Sequence, residues 1–141
     1  MSLLETDDEL DTLLPTLRTI AVLGIKIPET KAPAFYVAEY AQAAGIRVIP
    51  VPVYYPEVTT ILGEPVIRRL ADITEPVDAV VLFRRPADIP AHVDDILALA
   101  PRVVWMQLGI RHEAVATQLS AAGISVVQDR CLLVELQDRG R

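Results

Sequence analysis

The sequence predicts an α/β fold with an open parallel sheet of about five strands and helices on both faces. Short runs rich in Val, Ile and Leu alternate along the chain with segments of helical spacing, which is typical of βαβ units. The run Val80-Val81-Leu82-Phe83 is apolar without alternation, as expected of a strand covered by helices on both faces. A chain of 141 residues, 52% of them hydrophobic, predicts one domain over residues 1–141.

The first half of the chain is predicted to form a helix, a strand, a second helix and a second strand, in that order. Thr6 and Glu9 resemble a capping box, and leucines at helical spacing follow them to about Pro15. The first strand is predicted at residues 20–24, where an apolar run ends in glycine. A helix from Pro33 ends at the glycine of position 45, and residues 47–51 form the second strand.

The segment after the second strand carries weaker signals. Pro52 and Pro56 favour irregular structure. Residues 61–65 predict a turn, and residues 66–73 a short helix with Leu70 packed inward.

The second half continues the alternation. Strands are predicted at residues 77–83, 102–106 and 125–127, and helices at residues 88–100 and 113–122, with a short polar tail after Cys131. Parallel strands joined in this way require right-handed crossovers, and the prediction is therefore a single Rossmann-like sheet.

Composition excludes several classes of function. A net charge of −6 argues against a nucleic-acid binder, which needs a basic face. No apolar stretch reaches the roughly 18 residues of a membrane helix. One cysteine and two histidines make a metal site improbable. The acidic beginning of the sequence does not resemble a secretory signal, so we expect a cytoplasmic protein.

The strongest functional signal is the point where a buried strand meets two arginines. Arg84, Arg85 and Pro86 directly follow Phe83. Ligands of open α/β sheets bind outside the carboxyl ends of the strands, and the planar fork of arginine favours phosphate or carboxylate. The alternative is that both arginines are solvated charges at a strand end.

Two other strand ends offer candidate ligand contacts. The loop after the first strand has Gly24 but lacks both the three-glycine dinucleotide fingerprint and a P-loop. Lys26 and Lys31 supply charge there, unless they are simply exposed loop lysines. After the fourth strand, Gln107 offers an amide and Gly109 a close backbone approach, which favour a ligand crevice over a core position.

Catalytic patterns are missing from the sequence. It has no Gly-x-Ser-x-Gly elbow with a Ser-His-Asp order. Cys131 follows Asp129 and Arg130, and an adjacent arginine can lower a thiol pKa, but a lone cysteine without a base is more often structural. Trp105 is interpreted as a core residue and His112 as an exposed residue in the first turn of a helix.

These segments together resemble the small stand-alone CoA-binding proteins, whose fold is similar to the CoA-binding domain of the succinyl-CoA synthetase α subunit. Phe-Arg-Arg-Pro and Trp-Met-Gln-Leu-Gly are the specific parts of the resemblance. The stretches that carry it span nearly the whole chain: residues 19–24, 48–51, 61–64, 83–86, 103–110 and 127–131.

The resemblance implies that the ADP-3′-phosphate part of CoA lies along the strand ends. We expect Arg84 and Arg85 to face phosphates and residues 50–53 to pack against the adenine. We also expect Gly24, Ile25, Lys26 and Lys31 to line the first loop, and Gln107, Leu108 and Gly109 to border the pantetheine path. The candidate binding residues are Gly24, Ile25, Lys26, Lys31, Pro50, Val51, Pro52, Val53, Phe83, Arg84, Arg85, Pro86, Gln107, Leu108 and Gly109.

Three segments depart from the family pattern. Gly24-Ile25-Lys26 replaces Gly-Ala-Ser or Gly-Leu-Ser, residues 30–34 replace a segment like Ser-Arg-Pro-Ser, and Val51-Pro52-Val53 replaces Val-Asn-Pro. The first hypothesis is a non-catalytic cytosolic protein that binds CoA or an acyl-CoA, with a small nucleotide ligand as its partner and no nucleic acid or membrane. The alternatives are a degenerate nucleotide-binding fold that acts through protein contacts, which the departures favour, and an acyl-CoA or thiol enzyme that uses Cys131. The chain is too short to contain an ATP-grasp domain.

Overall fold

A five-stranded parallel sheet forms the centre of the computed structural model, which describes residues 3–141. The strand bounds are β1 Thr19–Leu23, β2 Arg47–Val51, β3 Thr60–Ile61, β4 Glu64–Pro65, β5 Ala79–Leu82, β6 Val103–Met106 and β7 Ser125–Val127. The five strands of the sheet lie in the order β2-β1-β5-β6-β7, and β3 and β4 form a separate antiparallel hairpin beside β2. This arrangement confirms the predicted Rossmann-like α/β fold.

Helices cover both faces of the sheet, as predicted. Side chains of β1 alternate between two apolar cores, with Ile20 and Val22 in one and Ala21 and Leu23 in the other. The helices are α1 Asp7–Leu13, α2 Pro33–Ala43, α3 Val93–Leu99, α4 Glu113–Ala121 and α5 Leu132–Asp138. The first core is closed by α1, α2 and α5, and the second by α3 and α4.

The C-terminal segment corrects the prediction of a polar tail. It forms α5, which buries Leu132 and Leu136 against the first core. Leu132, Leu133 and Leu136 have the spacing of a helical face, so the segment carries a local helical signal that the prediction of a polar tail overlooked. The backbone N–H of Leu132 donates to the buried Gln107 side chain over 3.0 Å, so a distant residue helps to start this helix.

Two other helix predictions differ from the structure, one in length and one in the type of helix. In the 66–73 segment only Leu70–Asp72 is helical, as a 3₁₀ turn, although Leu70 is buried as predicted. The predicted helix at 88–100 begins as a 3₁₀ helix over Pro86–His92 and becomes α-helical at Val93. Pro90 lies inside this 3₁₀ segment, and its missing N–H is the physical reason that a regular α-helix cannot run through it.

Among the described residues, no helix combines the length and the apolar character needed to cross a membrane.

Candidate ligand-binding site

The carboxyl end of β1 is the point where the strand order reverses. The chain leaves β1 for β2 on one side and later returns to add β5 on the other. Crevices of open α/β sheets form at such a reversal, because the loops that follow the two strands diverge. The loop after β1 begins at Gly24, and the loop after β5 begins at Phe83 and leads to Pro86.

Gly24 packs closely between the two neighbouring strands at this point. Its N–H donates to the Val51 carbonyl over 2.9 Å, and the N–H of Phe83 donates to the Leu23 carbonyl over 2.9 Å. Its φ is +87°, and a Cβ added here would lie 2.3 Å from the Phe83 carbonyl oxygen. Only glycine fits, both for its backbone conformation and for the space available.

A cavity of about 520 Å³ opens beside this point, on the side of α2 and α5, and we call it the strand-end cavity. Its wall combines apolar side chains with three cationic ones. The residues predicted from the sequence that line it are Lys26, Phe83, Arg84, Arg85, Pro86, Gln107, Leu108 and Gly109. The tertiary structure adds Ala32, Pro33, Ala34, Tyr36, Ile110 and Cys131, which were not among the candidate binding residues.

Arg84 is held in place by two partners. Its side chain is 17% exposed, its Nε donates to His92 Nε2 over 3.2 Å, and its Nη2 lies 3.7 Å from Asp88 Oδ2. Burial and the charge of Arg84 together lower the pKa of His92. A neutral His92 accepts a hydrogen bond at Nε2, and it therefore orients the guanidinium without competing with it as a cation.

Arg85 has a different environment from that of its neighbour. Its side chain is 84% exposed, and its Nε donates to Asp88 Oδ2 over 2.9 Å. The hydrogen bond from Arg85 holds the pKa of Asp88 below its usual range, and the charge of Arg84 adds to this effect. Sequence reasoning missed Asp88 and His92, although the i,i+4 spacing of Arg84 and Asp88 was a usable signal.

The role predicted for Gln107 needs correction. Gln107 lines the cavity but is only 3% exposed, and its Oε1 accepts the N–H of Leu132 at the start of α5. It therefore belongs to the core and shapes the cavity floor, because a buried amide must satisfy its hydrogen bonds inside the protein. Trp105 is fully buried as predicted, and its Nε1 donates to the Arg130 carbonyl over 2.8 Å.

Asp129 fixes the loop that borders the cavity beyond β6. Its Oδ1 accepts the N–H of Gly109 over 2.6 Å, and its own N–H donates to the Ile110 carbonyl over 3.1 Å. Asp129 has a φ of +59°, a conformation that aspartate tolerates better than most residues. The sequence indicated Asp129 only as a neighbour of Cys131, whereas the structure makes it a support of the candidate site.

The other residues predicted to bind the ligand lie in three different places. Ile25 and Val51 are buried in the core, so their side chains cannot meet a ligand, and Pro50 is buried with them. Pro52 and Val53 line a second cavity. Lys31 is exposed and lies outside the lining of both cavities.

The second cavity, of about 560 Å³, lies at the carboxyl ends of β1 and β2 on the side of α3. Tyr54, Arg68 and His92 are among its lining residues, together with Pro52 and Val53. Arg68 donates to the carbonyls of Tyr54 and Tyr55 over 3.3 and 3.1 Å, which braces the loop after β2. Because His92 binds Arg84, the two cavities meet at the same pair of side chains.

Cys131 is half-buried at the edge of the strand-end cavity. A third cavity, of about 520 Å³, shares Cys131 and Leu108 with it and reaches Leu4 and Val134. His112, predicted as an exposed residue in the first helical turn, is instead the half-buried N-cap of α4, where its Nδ1 accepts the N–H of Val115.

This chain belongs to the CoA binding domain family, whose model matches residues 18–137. The match confirms the resemblance found in the sequence and accounts for the doubly wound sheet with a cavity at its strand ends.

Three similar proteins each match most of this chain. A solved protein of Thermus thermophilus is 41% identical, with a TM-score of 0.86, and the match covers 95% of this chain and 98% of that one. An uncharacterised protein of Bacillus subtilis, YneT, is 29% identical over 126 residues, which are 89% of this chain and 90% of its own. An acetyl-coenzyme A synthetase of Candidatus Korarchaeum cryptofilum, solved with phosphate and ADP, shares the fold at 15% identity and a TM-score of 0.63, over 86% of this chain and 27% of that one.

Proposed function

We propose that this protein is a cytosolic binder of CoA or an acyl-CoA and that it catalyses no reaction on that ligand. The observation that carries the proposal is the strand-end cavity. In a chain of the CoA binding domain family, this cavity combines Lys26, Arg84 and Arg85 with an apolar wall at the reversal of the strand order. CoA has the matching chemistry, since its anionic phosphates are followed by a long, weakly polar pantetheine arm.

The proposed placement follows the character of the two cavities. The phosphates lie near Arg84 and Arg85, because guanidinium groups form strong charge-assisted bonds to phosphate. The pantetheine arm follows the side of the strand-end cavity that Leu108 and Gly109 border. The adenine packs in the second cavity, against Pro52, Val53 and the exposed ring of Tyr54.

The lining of the strand-end cavity lacks the most common acid–base side chains, which supports a non-catalytic role. Among the described residues that line it, none is Asp, Glu or His. Cys131 and Lys26 are its nucleophilic side chains, and no carboxylate or imidazole lies within the lining to activate either of them.

Calorimetry with CoA, ADP, NAD and ATP tests the proposal directly. We expect CoA to bind most tightly, because it offers both the phosphates for the arginines and an arm for the apolar wall. NAD binding as tightly as CoA would contradict the proposed ligand. A complete lack of binding by all four compounds would favour the alternative of a protein that acts through protein contacts.

Thiol labelling gives a second, positional test. Cys131 is half-buried at the cavity edge, so we expect slow labelling by a thiol reagent in the folded protein and faster labelling after unfolding. At ten times its Kd, CoA should slow the reaction roughly tenfold, because the occupied fraction is protected. The Cys131→Ser variant, which lacks the thiol, gives the background signal of the reagent. Labelling that CoA does not slow would place the pantetheine arm elsewhere.

A further inference from the structure

Asp88 brings one carboxylate oxygen close to both arginines of the proposed phosphate site. Its Oδ2 accepts from Arg85 Nε over 2.9 Å and lies 3.7 Å from Arg84 Nη2. Asp88 sits in the 3₁₀ segment Pro86–His92 and is not part of the lining of the strand-end cavity, whereas both arginines are. The carboxylate therefore approaches the guanidinium groups from outside the cavity.

We propose that Asp88 is an internal anion that competes with the ligand for Arg84 and Arg85 and so weakens the binding of phosphates at this site. The inference rests on the proposed function, since it concerns the same two arginines. An incoming phosphate displaces the carboxylate from Arg85 and draws the guanidinium into the cavity. A dianionic phosphate does this better than a singly charged anion, because it offers the arginines more charge than Asp88 does.

The exposure of the side chains favours competition over positioning. Arg85 is 84% exposed, so its ion pair with Asp88 is readily exchanged with solvent. Arg84 is 17% exposed and its Nε is oriented by His92, and its contact with Asp88, at 3.7 Å, is the weaker of its two. Removing the carboxylate therefore leaves His92 to hold Arg84 and frees Arg85 to turn.

The test compares Asp88→Asn with the unaltered protein. Calorimetry at fixed, low salt measures the affinity for CoA and, separately, for pyrophosphate as a bare phosphate probe. We expect both to bind roughly three- to tenfold more tightly to Asp88→Asn, because a weak ion pair no longer has to break and a like charge is gone. Asp94→Asn, which removes an equal charge six residues further along the chain, should change neither affinity by more than about twofold.

Each result decides between competition and positioning. Tighter binding in Asp88→Asn but not in Asp94→Asn supports competition. Equal affinities overturn it, and weaker binding shows instead that Asp88 positions the arginines. Asp88→Ala, checked for folding by circular dichroism, repeats the test without an amide in place of the carboxylate.

The two ligands separate this inference from the proposed function. If CoA binds to neither protein but pyrophosphate binds more tightly to Asp88→Asn, the CoA proposal fails and the competition by Asp88 stands. If CoA binds equally to both, the CoA proposal stands and the competition fails. If neither ligand binds to either protein, both are overturned.

Discussion

Gly24→Ala is expected to destabilise this protein more than the same substitution at any of its other glycines. The new Cβ would lie 2.3 Å from the Phe83 carbonyl oxygen, and the backbone φ of +87° is one that alanine rarely adopts. We expect a loss of about 3–5 kcal/mol in the free energy of unfolding, because backbone strain and a forced shift of β1 against β5 add together. Denaturant unfolding measures it, and the Tm should fall by roughly 10 °C or more.

Gly123→Ala is the matched control for this prediction. Gly123 has nearly the same φ, +88°, but nothing lies within 4 Å of a Cβ built there. It should cost only the backbone term, about 1–2 kcal/mol. Equal losses in the two variants would show that the carbonyl of Phe83 moves away without cost and that the close packing at the strand reversal is unimportant.

Of the alanine substitutions at the proposed phosphate site, Arg84→Ala is expected to cause the largest loss of CoA affinity. A charge-assisted hydrogen bond to a phosphate is worth roughly 1.5–3 kcal/mol, which corresponds to about a 10- to 150-fold weaker Kd. Arg84 should matter more than Arg85, because it is 17% exposed and oriented by His92, whereas Arg85 is 84% exposed. Calorimetry on both alanine variants measures the difference.

Arg111→Ala serves as the control for the loss of an arginine near the strand ends. Arg111 is 52% exposed, pairs with Glu113 over 2.9 Å and lies outside the lining of the strand-end cavity. Its removal should leave the CoA affinity unchanged and the fold intact. If Arg84→Ala binds CoA as well as Arg111→Ala does, Arg84 is a structural partner of His92 and Asp88, and the phosphates lie elsewhere.

Gly24 and Arg84 are linked by packing as well as by their place at the strand reversal. The Arg84 side chain lies 3.3 Å, at its Cδ, from the position of a Cβ on Gly24. A methyl group there would press on the arginine that is expected to contact phosphate. Gly24→Ala should therefore lose CoA affinity even under conditions in which it remains folded.

The elements that could be predicted from the sequence are those whose residues carry their own signal. The strands are short apolar runs bounded by polar residues or glycine, and β1, β2 and β5 were located to within about two residues at each end, as is usual for such signals. The α5 helix was mistaken for a polar tail although Leu132, Leu133 and Leu136 have helical spacing, and only the contact of its first N–H with the Gln107 side chain lies outside the local sequence.

The residues of the candidate site also differ in whether the local sequence marks them. Arg84, Arg85 and Lys26 could be found from the sequence, because charged residues directly after an apolar run mark the carboxyl end of a strand. Tyr36 and Pro33, from the start of α2, could not be found, since nothing local shows that they face the same cavity.

By itself the sequence determined the class of fold, the order of the five central strands along the chain and the cationic strand end, because apolar periodicity and strand-end residues are local properties of the chain. The tertiary structure decided which of those residues meet. It buried Gln107 as a partner of α5, placed Ile25 and Val51 in the core, and set Asp88 against both arginines. These outcomes depend on the distances between segments far apart in the chain or on the direction in which a side chain points, and sheet order and packing set both.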